Sequence, residues 1–563
     1  MKKIISLGVI LILTVAILLS AMPAAVAYTP SYSTIKSGIY YGSGALAAAN
    51  LENYSGNGSG YTFGYFNSDR DFVSFGATTS ETQISMLRDR NMYYSSSSNS
   101  YNPGTDGSVV VGCYHVQLAT GYSSYSSAKS VADSYTGGFV KYSYGTFYVC
   151  VGNYTTSSDA SAAASALGAG SVTAGNEYTI TVVVTGTSRI LFEFEYGTTQ
   201  YLGVMPRTVE GRKSQTWFKG YRYYGGFQYG RMTGGDITVI NYVNIEDYLK
   251  GVLPYEMSNS WPIEALKAQA LCARTYVATH FNAHRSSGFD VCTTDCCQVY
   301  RGNNSANSTT DAAVDQTAGK YVLYNGSPCE TYYMSADGGA TENSENVWVA
   351  TLPYLKGVID PYEADVYSKT SWTVTYTRDE LTARMRNRGY DCSTIVSIEI
   401  TQYTAVGNVY SIKLTDSNGK TFTFSKSNIR SALGVDSIRF SINGVNGGPS
   451  GTKRDVYVND SGSILGTDMA DAYAVGSSDT SVLGSNTVYA LTGSGEVESI
   501  EAGSSNTGGG GTGPIVADKF VITGSGRGHN VGMSQWGAYS MALYHGKTYE
   551  EIIKFYFTGV TVG

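Results

Sequence analysis

The chain has 563 residues, which at roughly 150 residues per domain implies three to four domains rather than one compact unit. Its 38 Lys and Arg against 45 Asp and Glu leave a net charge of −7, the wrong sign for gripping a phosphate backbone, so nucleic acid is a poor candidate partner and none is expected. Charged residues make up only 15% of the chain while Gly reaches 66 and Tyr 48, a polar, uncharged, aromatic balance that suits a β-rich extracellular surface.

Lys2 and Lys3 precede an apolar stretch from Ile4 to Ala21, and Ala25-Val26-Ala27 offers the small residues of a signal-peptidase site. Residues 1–27 therefore read as a signal peptide, with an uncleaved membrane anchor as the alternative for an apolar run of this length. In both cases the bulk of the chain is expected outside the cell, where the cysteines at 113, 150, 272, 292, 296, 297, 329 and 392 become disulfide candidates. Cys272, inside a helical pattern, reads equally well as a buried inert thiol. Residues 28–104 alternate in short segments such as Phe72 to Gly76 and read as β structure. Small, flexible residues replace any apolar period in Tyr94 to Gly107, Asn446 to Thr452 and Gly503 to Pro514, three expected linkers.

Residues 105–170 change rhythm. A strand at 114–118 is followed by a helix at 126–135, strands at 139–142 and 147–152, and an Ala-rich helix at 159–167. This β-α-β-β-α order, with Tyr114-x-Val116-Gln117-Leu118 and Tyr148-Val149-Cys150-Val151-Gly152-Asn153-Tyr154, resembles the SPOR (sporulation-related repeat) fold. The resemblance implies a module that binds peptidoglycan glycan strands stripped of their peptides; the bland alternative is a ferredoxin-like scaffold with no ligand. Cys113 and Cys150 flank strands of this module that would lie adjacent, a candidate disulfide.

Further strands are expected at 178–184 and 190–194 and a polar β region at 223–241. Asn244 and Asp247 then suggest the cap of a short helix ended by Pro254, and Pro262 stands where a first helical residue tolerates proline. Ile263, Leu266, Ala270, Ala273 and Val277 recur at helical steps. Between the two helices lies Glu256, bracketed by Pro254, Tyr255, Met257 and Trp261, an apolar setting that favours the protonated carboxyl a general acid needs. The competing reading is an ordinary acidic residue near a helix N-terminus. Arg274 is either a core-edge ion pair or a substrate ligand. Direct contact with Glu256 would favour the ionised form, so Arg274 is assigned to substrate oxygens.

The run from Glu246 to Tyr276, E-D-Y-L-K-G-V-L-P-Y-E-M-S-N-S-W-P-I-E-A-L-K-A-Q-A-L-C-A-R-T-Y, resembles the core of the stage II sporulation protein D family, which includes the LytB-type amidase enhancers. Two later blocks agree: Tyr332 to Thr341, leading to Val347-Trp348 and Leu352-Pro353-Tyr354-Leu355, and Gly526 to Ala538. The resemblance implies a lytic transglycosylase acting on peptide-free glycan, with Glu256 as catalytic residue and Arg274, Ser335, Thr341, Tyr354, His529 and Gln535 as substrate-binding residues. A purely structural role for His529 stays open, because Asn530 stands where the family usually carries Gly and tolerates positive φ less well.

The five His form no H-E-x-x-H, which disfavours a zincin-type hydrolase. His284, Cys292, Cys296 and Cys297 nevertheless lie just before Gln298-Val299-Tyr300. Family members with a similar sequence hold zinc with a His and two Cys, which implies His284, Cys292 and Cys297 as candidate ligands of a structural zinc. A Cys292–Cys297 disulfide and free thiols are the competitors. The proposed chemistry itself needs no cofactor.

The expected fold class is α+β and multidomain: a β-rich N-terminal part with an inserted βαββα SPOR-like module, and a mixed α/β core of stage II sporulation protein D type. The boundaries read as signal peptide 1–27, β-rich region 28–104, SPOR-like module 105–170, core 171–445, a Gly-bordered insertion 446–516, and a return to the core at 517–563. Thr548 with Glu551 marks a capping box that opens the last helix. The expected partners are peptidoglycan glycan strands and an N-acetylmuramoyl-L-alanine amidase, and the expected location is secreted and wall-associated. Two non-enzymatic readings remain beside the transglycosylase: an amidase enhancer that only binds glycan, and a surface adhesin.

Overall fold

A computed structural model describes residues 28–445 and 512–563, apart from 105, 106, 108, 233 and 295, together with the backbone of short hairpins between 456 and 501. The expected signal peptide and most of the expected insertion lie outside the described residues. The protein is mixed α/β, multidomain and strand-rich, and it divides into two units, residues 28–260 with 273–320 and residues 261–272 with 321–563. Among the described residues no helix is long and apolar enough to cross a membrane.

In the first unit, strands from both sides of residue 171 share two sheets. Thr34–Tyr40 runs antiparallel to Thr238–Asn244 and parallel to Val291–Cys292, within a seven-stranded sheet that also holds Tyr61–Phe66, Phe72–Thr79, Leu202–Pro206 and Gly226–Gly230. The expected linker from Tyr94 to Gly107 is instead partly a hairpin, with Met92–Ser95 paired to Ser100–Asn102. Tyr101, buried to 1% exposure, supplies an apolar anchor among the serines and donates from its hydroxyl to Thr187 O at 2.6 Å.

The βαββα stretch has the order read from sequence: Tyr114–Tyr122, helix α1 (Tyr125–Ala132), Gly138–Ser143, Thr146–Tyr154 and helix α2 (Ser157–Leu167). Ser124 caps α1 by accepting from Ser127 N, and Thr156 caps α2 by accepting from Asp159 N. A sixth piece, Ser171–Ala174, completes a βαββαβ unit whose strands lie in the order fourth, first, third, second. Its second strand, Gly138–Ser143, then pairs in parallel with Ile190–Glu195, so the unit is an integral part of a ten-stranded sheet.

That junction buries charge. Glu193 is 0% exposed and takes Lys141 Nζ at 3.2 Å, His115 Nε2 at 3.2 Å and Thr181 Oγ1 at 3.2 Å. Lys141 also reaches Glu195 at 2.7 Å, and His115 Nδ1 lies 2.8 Å from Gly152 O. The expected Cys113–Cys150 disulfide is not formed; both are thiols. Cys150 pairs across the sheet with Gln117, and Cys113 lies four residues further along that strand, an offset of about 13 Å that no disulfide spans.

The first unit continues with α3 (Ile245–Glu256), part of α4 (Ile263–Thr279) and α5 (Ser308–Gln316). In the second unit, Lys519–Ser525 runs between Ser371–Thr377 and Phe440–Ile442, and a four-stranded sheet joins Thr421–Ser425, Val409–Asp416, Ile395–Tyr403 and Ile515–Val516. Ile515–Val516, expected at the end of the insertion, is thus an edge strand of this sheet. Helices α6 (Arg378–Asn387) and α7 (Asn428–Leu433) close one core around Leu381, Ile398, Ile412 and Ile522. The chain ends with α8 (Gln535–Leu543), α9 (Tyr549–Tyr556) and Thr561–Val562, which pairs with Val322–Tyr324. Both halves of the Thr548–Glu551 capping box are present.

Replacing Glu193 by Gln leaves Lys141 with Glu195 as its remaining carboxylate partner and takes from His115 the acceptor at its Nε2, and should cost about 1–3 kcal/mol, read as a lower midpoint in urea unfolding. Burial alone would raise the Glu193 pKa, but the charges of Lys141 and His115 prevail and hold it at about 2. A carboxylate held low contributes stability that is present above its unfolded-state pKa and lost as the pH falls toward 2. The Gln variant should therefore be less acid-sensitive than the unmodified chain.

Candidate functional site

Helix α3 opens on Asn244, whose Oδ1 accepts from Glu246 N at 2.9 Å. It does not stop at Pro254 as expected but runs through it, and Glu256 is its last residue rather than a loop residue. Pro254 withdraws one N–H near the helix end, while Met257 N still donates to Leu253 O at 3.0 Å, so the last turn survives. Glu256 therefore sits at a helix C-terminus, which removes the dipole rationale of the competing reading. It is half-buried, and Val299 N donates to its Oε1 at 3.0 Å.

The segment that supplies this N–H is firmly held. Tyr248 Oη donates to Gln298 Oε1 at 3.3 Å, Gln298 Nε2 donates to Ala273 O at 3.2 Å, and Tyr300 Oη donates to Asn241 Oδ1 at 2.8 Å. Tyr248, Gln298 and Tyr300 are all buried. A hydrogen-bonded, packed anchor of this kind keeps the carboxyl from swinging freely.

Arg274 is 0% exposed and belongs to the interior. Its Nη2 lies 2.7 Å from Glu246 Oε2 and its Nε 3.0 Å from Glu246 Oε1, a bidentate pair. The remaining donors reach Thr317 Oγ1, Lys320 O and Val314 O. The assignment to substrate oxygens is corrected: Arg274 is the core ion pair, tying the start of α3 to the end of α5. Its partner Glu246 is acidic in the first turn of α3, a signal visible in the sequence but ambiguous without the fold.

In the second unit, Tyr333–Met334 pairs in parallel with Met533–Ser534, and Trp536 N donates to Ser335 O at 3.0 Å. This brings Ser335 beside Gln535, whose Nε2 lies 3.4 Å from Gln269 Oε1. His529 packs its ring 5.1 Å from Trp348 and 6.4 Å from Tyr332, and its Nδ1 accepts from Val531 N at 3.1 Å. Burial, with Arg430 as a second cause, pushes its pKa down to about 4, so the imidazole is neutral at neutral pH. Asn530 does adopt the left-handed backbone, φ 65°, and its Nδ2 donates to Asp337 O at 2.7 Å and Ala340 O at 3.3 Å. Asn is thus held in place by its own side chain.

Thr341 and Tyr354 are buried and correct the expectation of exposed cleft hydroxyls. Thr341 Oγ1 accepts from Val358 N at 2.9 Å, and Tyr354 Oη accepts from Glu330 N at 3.1 Å, so both brace local backbone. Glu256 belongs to the first unit and Ser335, His529 and Gln535 to the second. Sequence reasoning missed Trp348 and Tyr332 as the walls around His529, although both lie in the quoted motif.

His284, Cys292, Cys296 and Cys297 each bring a ligand atom to within 4.8 Å of the others. His284 Nε2 is 3.1 Å from Cys297 Sγ, and Cys292 Sγ is 3.3 Å from Thr294 Oγ1. The competing Cys292–Cys297 disulfide is not formed. Burial works against ionising Cys292, but hydrogen bonds from Thr294, Cys297 and Cys296 prevail and lower its pKa. Three thiols and an imidazole are a donor set suited to tetrahedral zinc, and Cys296 adds a fourth donor to the three expected.

The SpoIID family model, described as stage II sporulation protein, matches residues 233–324. An uncharacterised protein of Brachyspira hyodysenteriae is 33% identical over 61% of this chain and 73% of its own length. The amidase enhancer of Bacillus subtilis is 32% identical over 56% of this chain and 40% of its own, and stage II sporulation protein D of the same organism is 26% identical over 57% and 74%. The chain belongs to the stage II sporulation protein D and LytB family. The span matched by the family model contains Glu256, its Val299 anchor, the Glu246–Arg274 pair and all four candidate metal donors.

Arg274→Ala should lower stability by about 1–3 kcal/mol, because Val314 O, Lys320 O and Thr317 Oγ1 lose their buried donor while Glu246 keeps solvent and Gly319 N–H. Arg274→Lys should recover only part of this, because an ammonium cannot reproduce the two parallel bonds. Denaturant midpoints of the three proteins check both statements.

Proposed function

We propose that the chain is a lytic transglycosylase that cleaves peptide-free glycan strands of the cell wall, with Glu256 as its single general acid and base. The observation that supports the reading most is the fixed carboxyl of Glu256, clamped by Val299 N–H within the span matched by the family model. In this reading Glu256 gives its proton to the glycosidic oxygen as the bond to C1 breaks. It then takes the proton of the sugar's own C6 hydroxyl as that oxygen closes on C1, leaving a 1,6-anhydro end. No water enters, so the second carboxylate of ordinary glycosidases is not needed.

Ser335 and the neutral His529 offer polar groups for sugar hydroxyls, Trp348 and Tyr332 offer aromatic faces, and the buried Gln535 lines the floor beside Ser335. The βαββαβ unit at 114–174 is proposed as a SPOR-like module that holds the chain on stripped glycan, in a secreted, wall-associated protein. A structural zinc on His284, Cys292, Cys296 and Cys297 would fix the loop that leads directly into Gln298 and Val299, and so the anchor of Glu256. Bound there, it would supply rigidity rather than chemistry. The name of the Bacillus subtilis relative, amidase enhancer, favours a second reading, in which the same surfaces bind glycan and assist an amidase without cleaving.

Incubation with amidase-stripped glycan and mass spectrometry decides between them. The unmodified protein should release 1,6-anhydro-ended fragments, and Glu256→Gln should slow this by about 10²–10⁴-fold while still binding glycan. Binding without anhydro products from the unmodified protein would establish the enhancer reading instead. For the metal, elemental analysis should find one zinc per chain, and thiol titration should show additional reactive thiols only after chelation.

A further inference from the structure

Asp337, Asp360 and Glu363 meet inside the second unit, each no more than 2% exposed, with a carboxyl oxygen of each within 4.8 Å of the others. Three full negative charges this close in a dry interior repel strongly, so the cluster must be neutralised. The cation facing it, Arg439, feels the charges of Asp337 and Glu363 but spends its Nη1 on Val406 O at 3.0 Å and Asn408 Oδ1 at 3.2 Å.

The donors around the cluster show where the charge is accommodated. Glu363 accepts from Asp337 N at 2.7 Å, Gly338 N at 2.9 Å and Ser534 Oγ at 3.0 Å. Asp360 accepts from Tyr362 N at 2.9 Å and Tyr556 Oη at 2.5 Å. Asp337 Oδ1 accepts from Gly339 N at 2.7 Å, but its Oδ2 is buried with no donor. Two of the carboxylates are thus furnished with N–H and O–H groups, and one interior oxygen is left bare. A bare carboxylate oxygen is costly there, whereas an O–H at the same place gains an acceptor from either neighbour.

We propose that Asp337 is kept as the carboxylic acid and that its proton, shared with Asp360 and Glu363, is the pin that holds the 335–341 segment to the start of α8. Glu363 is the centre of this pin, since it grips the backbone of 337–338 and the capping hydroxyl of Ser534 at once. Asp337 and Glu363 are therefore positioning residues for Ser335 and Gln535, whatever reaction those residues serve. The groups that face the proton are Asp360 and Glu363, Tyr556 from α9, Arg439, and, through Arg439, Glu342. Burial first, then the charges of Asp360 and Glu363, raises the Asp337 pKa well above the ordinary carboxyl range, and Asp360 is pushed up to about 6. A group raised on folding contributes stability that is complete below its unfolded-state pKa and lost as the pH rises through the folded value. The pin therefore weakens as the pH rises, the opposite sign to Glu193.

The test is hydrogen exchange of peptides covering 335–341 and 529–536 in the full chain between pH 5 and pH 9, corrected for the intrinsic rate, beside thermal unfolding over the same range. In the unmodified protein the opening equilibrium of these two segments should rise with pH across this range by up to about tenfold per pH unit, while peptides from the first unit show no matching change. Asp337→Asn, which keeps a donor and cannot ionise, should match the unmodified protein at pH 5 and flatten the rise. A flat profile in the unmodified chain overturns the proposal whether or not the variant folds, and so does an unchanged rise in Asp337→Asn. Protection that increases on adding calcium or magnesium ions, and no longer does so in Asp337→Asn, would overturn it in favour of a cation site.

Discussion

Ser335 and Gln535 stand two hundred positions apart in the chain, and the second unit's candidate site depends on their being held side by side. Two residues of parallel pairing, Tyr333–Met334 with Met533–Ser534, are too few to do this alone. The rest comes from buried polar groups that reach across: Glu363 to both segments, and Asn530 from one segment to the carbonyls of Asp337 and Ala340 in the other. Every one of these groups is buried, so each bond lost would leave a donor or acceptor stranded, and the geometry is correspondingly over-determined.

The first unit follows the same logic around a different carboxylate. Glu256 is half-exposed, yet the backbone that donates to it is fixed by Tyr248, Gln298 and Tyr300 in the interior. Arg274 stiffens the other end of α3 through Glu246. Neither ion pair nor hydrogen bond of this sort adds much net stability over a well-packed apolar core. Their effect is to make one arrangement of the helix end and the 297–300 segment much better than its neighbours, which fixes where the Glu256 carboxyl stands.

Much of the local structure was legible in the sequence. The caps at Asn244 and Thr548 and the βαββα order from Tyr114 to Leu167 depend on contacts within a few residues. Pro254 misled because its penalty depends on how near the helix end it falls, and two residues decided the matter. The hairpin hidden in the serine-rich run at 94–102 misled because its stability comes from Tyr101 inserting beside Thr187, a contact some 86 residues away.

The sequence by itself determined the family, raised the expectation of an exported chain, and singled out Glu256 and the group His284, Cys292 and Cys297 as candidates. These are properties of residue type and short spacing. Only the tertiary structure decided that Arg274, Thr341 and Tyr354 face inward, that Cys296 joins the metal-type donor set, and that Asp337 meets Asp360 and Glu363. The physical reason is burial: whether an arginine, a hydroxyl or a carboxyl binds a substrate, braces a backbone or keeps its proton depends on which groups surround it in the interior. Those neighbours come from segments that no local pattern connects.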